Sequence, residues 1–479
     1  MVLRRVTLLS AVLALVFGLS FAAQKPPAAP SFFILFADAR PILEAFGDDV
    51  PGELQGKSTE QLAALWPTWV AGRDAAIRAR LEQGDLDTIV HWLLFGTSFT
   101  RRVRLTPENI QHLESPKTST AGSDAAGELL MGRLDDLLNA LSSSTQSERI
   151  LFVRRMLLGK GIRLDLPAGR DAARQFLLSQ LARILREQAG FAEALDAARR
   201  LGNTTEEFAA RSTLYRERGL SLDTSLSPNL AVERSLAELQ RRGLLTPGAV
   251  RRVAIIGPGL DFTDKQAGFD FYPQQSVQPF AVMDSLLRLG LAREDQLTVT
   301  TFDISPRVND HLSRALDRAR RGASYVVQLP FDPSVSWKPE MREYWKNFGA
   351  RVGAPAAGAA LPAALQHLSI RAVRIRAGVV TRLRVRDLNI VLARPELDTA
   401  SQFDLIVATN ILVYYDTFEQ SLALANIERM LRPGGLFLCN NALLELPFSR
   451  VHSIGYLTTQ YSERANDGDH MVWYQRQNK

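Results

Sequence analysis

The sequence predicts an α/β architecture, with a doubly wound, mostly parallel seven-stranded sheet that ends in an antiparallel strand pair and follows an all-α region. Three observations carry this. From about residue 250 onward, apolar runs of strand length alternate with helix-period segments. From about residue 30 to 245 only the helical period occurs. The last two apolar runs flank "RANDGD", a turn too short to hold a helix, so they are expected to pair antiparallel at the sheet edge.

The helical region opens with "STEQLAALWPTWVAGRDAAIRARLEQGD", where Ser58 reads as an N-cap and Gln61, three residues on, completes a capping box. "LDTIVHWLLFGTSF" follows as a second, shorter helix that ends near Gly96. Residues 113–126, "LESPKTSTAGSDAA", read as a linker. "SERILFVRRMLLGKG" and "GRDAARQFLLSQLARILREQAGFAEALDAARRLG" read as amphipathic helices. The aromatics of "WPTWV" and "HWLLFGTSF" are expected in the core rather than in a peptide groove. "RERGLSLDTSLSPN", residues 216–229, reads as a connector before the helix "LAVERSLAELQRRGLL". Strands are predicted at 252–256, 298–302, about 379–385, 404–409, 435–440, 455–462 and 470–476, with helices between the first five. The expected division is a leader or anchor at 1–23, an all-α accessory domain at 31–245 and an α/β domain at 246–479.

At 479 residues the chain can hold about two or three domains. The 57 Lys and Arg against 51 Asp and Glu leave a net charge of +6, too modest to require nucleic acid, and no nucleic-acid partner is expected. A single cysteine, Cys439, excludes an intramolecular disulfide, and the six histidines lack metal-ligand spacing, so no metal site is expected.

The N-terminus, "MVLRRVTLLSAVLALVFGLSFAAQ", places Arg4 and Arg5 before an apolar run from Val6 to Phe21. Ser20 and Ala22 follow at the −3 and −1 positions of a cleavage site. This predicts a Sec-type signal peptide, with a retained membrane anchor as the alternative. The protein is then exported (periplasmic or secreted) or membrane-anchored, and cytoplasmic if the start is misassigned.

Candidate chemistry gathers at strand ends. "VAIIGPGLDF" breaks after an apolar run into Gly257 and Gly259, a βα turn that lets backbone approach a ligand, although many such turns use glycine only for positive φ. "LTVTTFDISP" ends at Asp303, which suits a ribose-hydroxyl contact or an N-cap. It lies well beyond the usual offset of about 20 residues, with "DFTDKQAGFDFYPQQ" as an intervening loop and "SVQPFAVMDSLLRLGL" as the crossover helix. "VTRLRVRDLN" delivers Asp387 and Asn389 to the same edge, and "FDLIVATNILVYYD" delivers Asn410, Tyr414, Tyr415 and Asp416. Alternation in the arginine-rich stretch puts Arg382, Arg384 and Arg386 on one strand face, read as a solvated edge rather than an anion-binding surface.

Together these segments resemble the class I S-adenosylmethionine-dependent methyltransferases. "AIIGPGLD" matches the glycine-rich motif, "TFDIS" the ribose-acid motif, "RDLN" the adenine-contact motif, "FDLIVATNIL" the fourth motif and "LRPGGLFL" the strand after it. Within that class the chain is most similar to the chemoreceptor glutamate methyltransferases (CheR-type), through "SVQPFAVMDSLL", "EYWKNFGARV" and "FDLIVATNILVYYD". The resemblance implies a Rossmann-like fold and S-adenosyl-L-methionine as cofactor. It implies cofactor contacts from Gly257, Gly259, Asp303, Ile304, Asp387, Leu388 and Asn410, and Tyr414 on the acceptor side, where packing between helix and sheet is the alternative role. The acceptor stays open: a protein carboxylate, or another oxygen or nitrogen nucleophile. Three positions depart from the pattern: Ile255 stands for an acid, Asp261 for the third glycine, and Thr409 for the arginine before the asparagine. Export conflicts with a cofactor made in the cytoplasm, so the alternative is an exported, catalytically silent relative that binds a ligand or protein.

Overall fold

A computed structural model describes residues 31–114, 121–145, 147–166, 168–200, 219–263, 268–464 and 467–478. The expected leader at 1–23 lies outside them. Among the described residues no helix is long and apolar enough to cross a membrane.

The N-terminal part runs β1 (Ser31–Phe33), α1 (Phe36–Phe46), α2 (Thr59–Phe95), α3 (Pro107–Glu114), α4 (Ala121–Ser142), α5 (Glu148–Gly159), α6 (Gly169–Arg200) and α7 (Ser227–Arg241). The capping box at Ser58 and Gln61 is present, and Gly96 caps the far end. Between them the two expected helices are one of 37 residues, because nothing in "EQGDLD" stops it: Gly84 costs a helix interior only about 1 kcal/mol. Within the expected linker at 113–126, residues 121–126 belong to α4 and residues 115–120 lie outside the described set.

The remainder runs β2 (Arg252–Ile256), α8 (Gln278–Arg288), β3 (Thr298–Asp303), α9 (Pro306–Arg320), β4 (Tyr325–Phe331), α10 (Pro339–Asn347), β5 (Gly353–Ala356), β6 (Ser369–Ile375), α11 (Ala377–Val380), β7 (Leu383–Asp387), β8 (Ala393–Pro395), β9 (Phe403–Ala408), α12 (Thr417–Met430), β10 (Leu431–Cys439), β11 (Val451–Gln460) and β12 (Gly468–Arg476). Seven of these strands form the predicted sheet, in the order β11-β12-β10-β9-β2-β3-β7. The five from β7 to β10 are parallel, while β12 runs antiparallel to both β10 and β11.

Three expectations change. The strand predicted at about 379–385 begins at Leu383, since Ala377–Val380 winds as a helical turn behind Arg376. Residues 325–375 hold an unpredicted antiparallel sheet of order β4-β6-β5, whose arginines obscure its apolar period. β1 also went unpredicted, and it pairs with β8 to lace residues 31–33 to the sheet region. Of the arginines expected on one solvated strand face, Arg384 and Arg386 lie on the edge strand β7, Arg384 exposed and Arg386 half-buried, while Arg382 precedes the strand.

Strand alternation divides the core. Val253 and Ile255 join Leu236, Phe280 and Leu312 on one face of the sheet. Ala254 and Ile256 join Trp66, Trp69, Ile77 and Leu422 on the other. The far half of α2 enters a third cluster, where Trp92 packs with Leu134, Val153 and Leu177. The tryptophans of "WPTWV" and "HWLLF" are thus core, as expected. Phe262, the last residue of "VAIIGPGLDF", sits in that third cluster with its ring edge-on to Trp92 and Phe152.

Candidate functional site

From β2 the chain proceeds through β3 and β7 to one side, then returns through β9 and β10 on the other. The strand order therefore reverses between β2 and β9, and ligands of open α/β sheets bind outside the carboxyl ends of the strands at such a point. A cavity lies there, with about 850 Å³ of empty space including its open mouth.

Its floor is the glycine turn. Gly257 has φ 65° and Gly259 φ 70°, the left-handed region that other residues enter at a cost. A Cβ on Gly257 would lie 2.1 Å from the Ile411 side chain, and one on Gly259 would lie 2.9 Å from the Leu222 carbonyl oxygen. The turn is anchored by the Gly257 N–H donating to the Phe302 carbonyl at 2.8 Å. Asp261, in the place of a third glycine, does not line the cavity. It is buried and accepts from the Tyr272 hydroxyl (2.9 Å) and Gln275 Nε2 (3.0 Å), so it ties down the loop that follows.

Asp303 ends β3 inside the cavity and is 5% exposed. Its carboxylate accepts from the Ser305 N–H at 2.8 Å, yet burial pushes its pKa up to about 7, with the nearby Asp387 charge adding to the rise. The N-cap of α9 is Ser305, so Asp303 does not take that alternative role. Ile304 lines the wall beside it.

Asn410, just past β9, is the one non-glycine with positive φ (56°) among the described residues. Its N–H donates to Asn440 Oδ1 at 3.0 Å, which holds the strained turn in place. Thr409 accepts from the buried Gln278 Nε2 at 2.6 Å. Tyr414 is buried and lines the cavity, and its carbonyl accepts from Arg80 of α2 at 3.0 Å. Asp416 is spent as the N-cap of α12, in a capping box with Glu419.

Leu388 is buried in the cavity wall with Ile390, but Asp387 stays outside. Its carboxylate is held by both terminal nitrogens of Arg78, at 2.6 and 3.0 Å, while Asn389 donates to Asp74 at 2.8 Å. Arg78 and Asp74 both belong to α2, so this helix occupies the polar groups of "RDLN". The structure therefore gathers Gly257, Gly259, Asp303, Ile304, Leu388, Asn410 and Tyr414 around one space and leaves Asp387 beside it.

The stretch expected as a connector forms a further wall. Residues 219–226 cross the glycine turn as a strap, and Ser221, Leu222, Asp223 and Thr224 face the cavity. The Leu222 carbonyl accepts from the Leu260 N–H at 2.9 Å, and the Leu220 N–H donates to the Arg80 carbonyl at 3.1 Å. The crossing requires Gly84, where a Cβ would lie 2.0 Å from the Leu220 carbonyl oxygen. Two sequence signals were present: a glycine inside a helix, and the alternation of Leu220, Leu222 and Leu226 with small polar residues.

No protein-family model matches the chain, and no curated protein matches it. Solved structures similar to it include the N-methyltransferase NodS from Bradyrhizobium japonicum WM9 in complex with S-adenosyl-L-homocysteine. That match has 15% identity and a TM-score of 0.25, over 52% of this chain and 86% of that one. They also include the glycopeptide N-methyltransferase MtfA with S-adenosyl-L-homocysteine, at 12% identity and TM-score 0.27 over 53% and 92%. A third is magnesium protoporphyrin IX methyltransferase from Synechocystis PCC 6803 with bound SAM, at 11% identity and TM-score 0.25 over 52% and 79%. Overlaps this small add nothing to the topology described above.

Proposed function

We propose that the protein is an S-adenosylmethionine-dependent methyltransferase whose cofactor lies in the cavity at the β2/β9 reversal. The observation that carries this is the meeting of Gly257, Gly259, Asp303, Leu388 and Asn410, contributed by successive strand ends, around one partly enclosed space.

The residues fit such a cofactor. The glycine turn presents backbone with no room for a side chain, as a ligand in close approach requires. The Asp303 carboxylate is the acid within the cavity best placed for paired hydroxyl donors such as those of a ribose, and those donors would offset the burial that raises its pKa. Leu388 and Ile390 offer an apolar slot for a flat base. Adenine recognition would then rest on that slot and on backbone groups, because the Asp387 carboxylate is held by Arg78.

When bound, the cofactor supplies a methyl group made electrophilic by its sulfonium sulfur. The chain contributes position and exclusion of water: Asn410 beside the reacting end, Tyr414 on the acceptor side, and the strap 219–226 over the turn. Equilibrium dialysis with methyl-labelled S-adenosylmethionine tests this. Saturable binding displaced by S-adenosylhomocysteine and not by ATP is expected, and absence of saturable binding rejects the assignment.

A further inference from the structure

Beyond the strap lies a second cavity, between α2, α6 and residues 219–223, with about 1190 Å³ of empty space including its mouth. It shares Ser221, Asp223 and Tyr414 with the first, so the two meet across the strap. We infer that this second cavity is the acceptor site and that the acceptor is an amine carried on an apolar body. The inference rests on the methyltransferase reading of the first cavity.

The walls set the body of the acceptor. Leu94, Phe95, Ile110 and Ile184 give an apolar lining that spans three helices, α2, α3 and α6. Charge sets its head. Asp87, Glu187 and Asp223 line the cavity, and no Lys or Arg among the described residues does. Arg183, behind the wall, pairs with both Asp87 and Glu187, which answers their charges. Nearby, Asp85 faces Arg307 at 2.9 Å. Asp223 differs. One oxygen accepts from the Thr88 hydroxyl at 2.8 Å, while Oδ1 is buried with no hydrogen-bond partner. Asp223 itself lines both cavities and, unlike Asp87 and Glu187, has no ion-pair partner among the described residues, so its charge is the one left for a ligand to answer. An incoming carboxylate would meet like charge, whereas an ammonium brings the opposite sign.

The step balances as follows. The ammonium bound at Asp223 gives one proton through that carboxylate to water. The freed nitrogen lone pair then forms a bond to the methyl carbon of the sulfonium donor as the carbon–sulfur bond breaks. That bond's electron pair stays on sulfur, leaving a neutral thioether, a methylated ammonium and one released proton.

The test is calorimetric titration of the purified protein with phenethylamine, hydrocinnamate and phenethyl alcohol, three probes sharing one apolar body, with and without saturating S-adenosylhomocysteine. The amine is expected to bind about tenfold or more tighter than the carboxylate. Asp223→Asn should lose about tenfold of the amine affinity. Leu185→Trp, which fills the second cavity from a residue that does not line the first, should lose the amine and keep its affinity for S-adenosylhomocysteine. Equal or tighter binding of hydrocinnamate, absence of amine binding, or an unchanged Asp223→Asn each overturns the inference. Failure of S-adenosylhomocysteine to bind rejects the cofactor assignment instead, and the titrations without it still decide the acceptor class.

Discussion

The Asp303 carboxyl accepts the Ser305 N–H and is still pushed up to about 7, because it is buried beside a second acid. Between the ordinary carboxyl value of 3.8 and about 7, the folded chain holds a proton that the unfolded chain has released. Stability from this group therefore falls as pH rises through that window and levels off above it. A ligand whose hydroxyls donate to the carboxylate favours the ionised form, so cofactor affinity is expected to rise with pH up to about 7 and then flatten. Titrations across this range should show that rise, with proton release near its midpoint, and Asp303→Asn should remove both. An affinity independent of pH would place the ligand away from this carboxyl. At this scale the glycines and Asp303 were legible because each follows its own strand directly. Asp387 was legible only as a motif letter: the partner that takes its carboxylate, Arg78, lies 309 residues earlier in the chain.

Among the elements, α2 does the most to shape the site. It fixes the Tyr414 turn through Arg80, holds "RDLN" through Asp74 and Arg78, and gives the strap a path at Gly84. In an ordinary helix Gly→Ala stabilises by up to about 1 kcal/mol. Here the added methyl would lie 2.0 Å from the Leu220 carbonyl, so Gly84→Ala is expected to destabilise by about 1–3 kcal/mol in urea unfolding and to weaken cofactor binding. A stabilised variant with unchanged binding would show that the strap does not need this crossing. The sequence pattern conveyed the helices and the strand ends, since both are local periodicities. It conveyed the strap only as a break, since the strap's place depends on contacts with α2 and Leu260 that no local window contains. The sheet β4-β6-β5 was hidden for a related reason: Arg371 on β6 donates to the carbonyls of Trp345 and Phe348, so a charged residue serves a packed strand.

Across the whole molecule, the helical and sheet regions share one of the hydrophobic clusters. Trp66 of α2 packs among residues of the central strands and donates to the Ile34 carbonyl at 2.8 Å, and β1 pairs with β8. Ion pairs add ties: Arg73 to Glu419 at 2.7 Å and Arg394 to Asp38 at 2.5 Å. The Arg394–Asp38 pair and the Glu419 carboxylate are largely buried, so desolvation offsets much of their attraction and apolar burial carries the connection. Trp66→Ala is expected to cost about 3–5 kcal/mol and to shift the far-UV and near-UV unfolding transitions together. Separate transitions, with only one of them moved, would show two independent units. The doubly wound sheet and its terminal antiparallel pair were readable from alternation and from a turn too short for a helix. The shared cluster was not, because it joins residues far apart in sequence. The central claim, that the cavity at the strand reversal holds S-adenosylmethionine, is tested most directly by calorimetric titration of the cofactor into the purified protein, the Asp303→Ala variant and the Asp261→Ala variant. One site with a dissociation constant on the order of micromolar is expected, lost in Asp303→Ala and retained by whatever fraction of Asp261→Ala folds. A flat titration for the unsubstituted protein, or undiminished binding by Asp303→Ala, would contradict it.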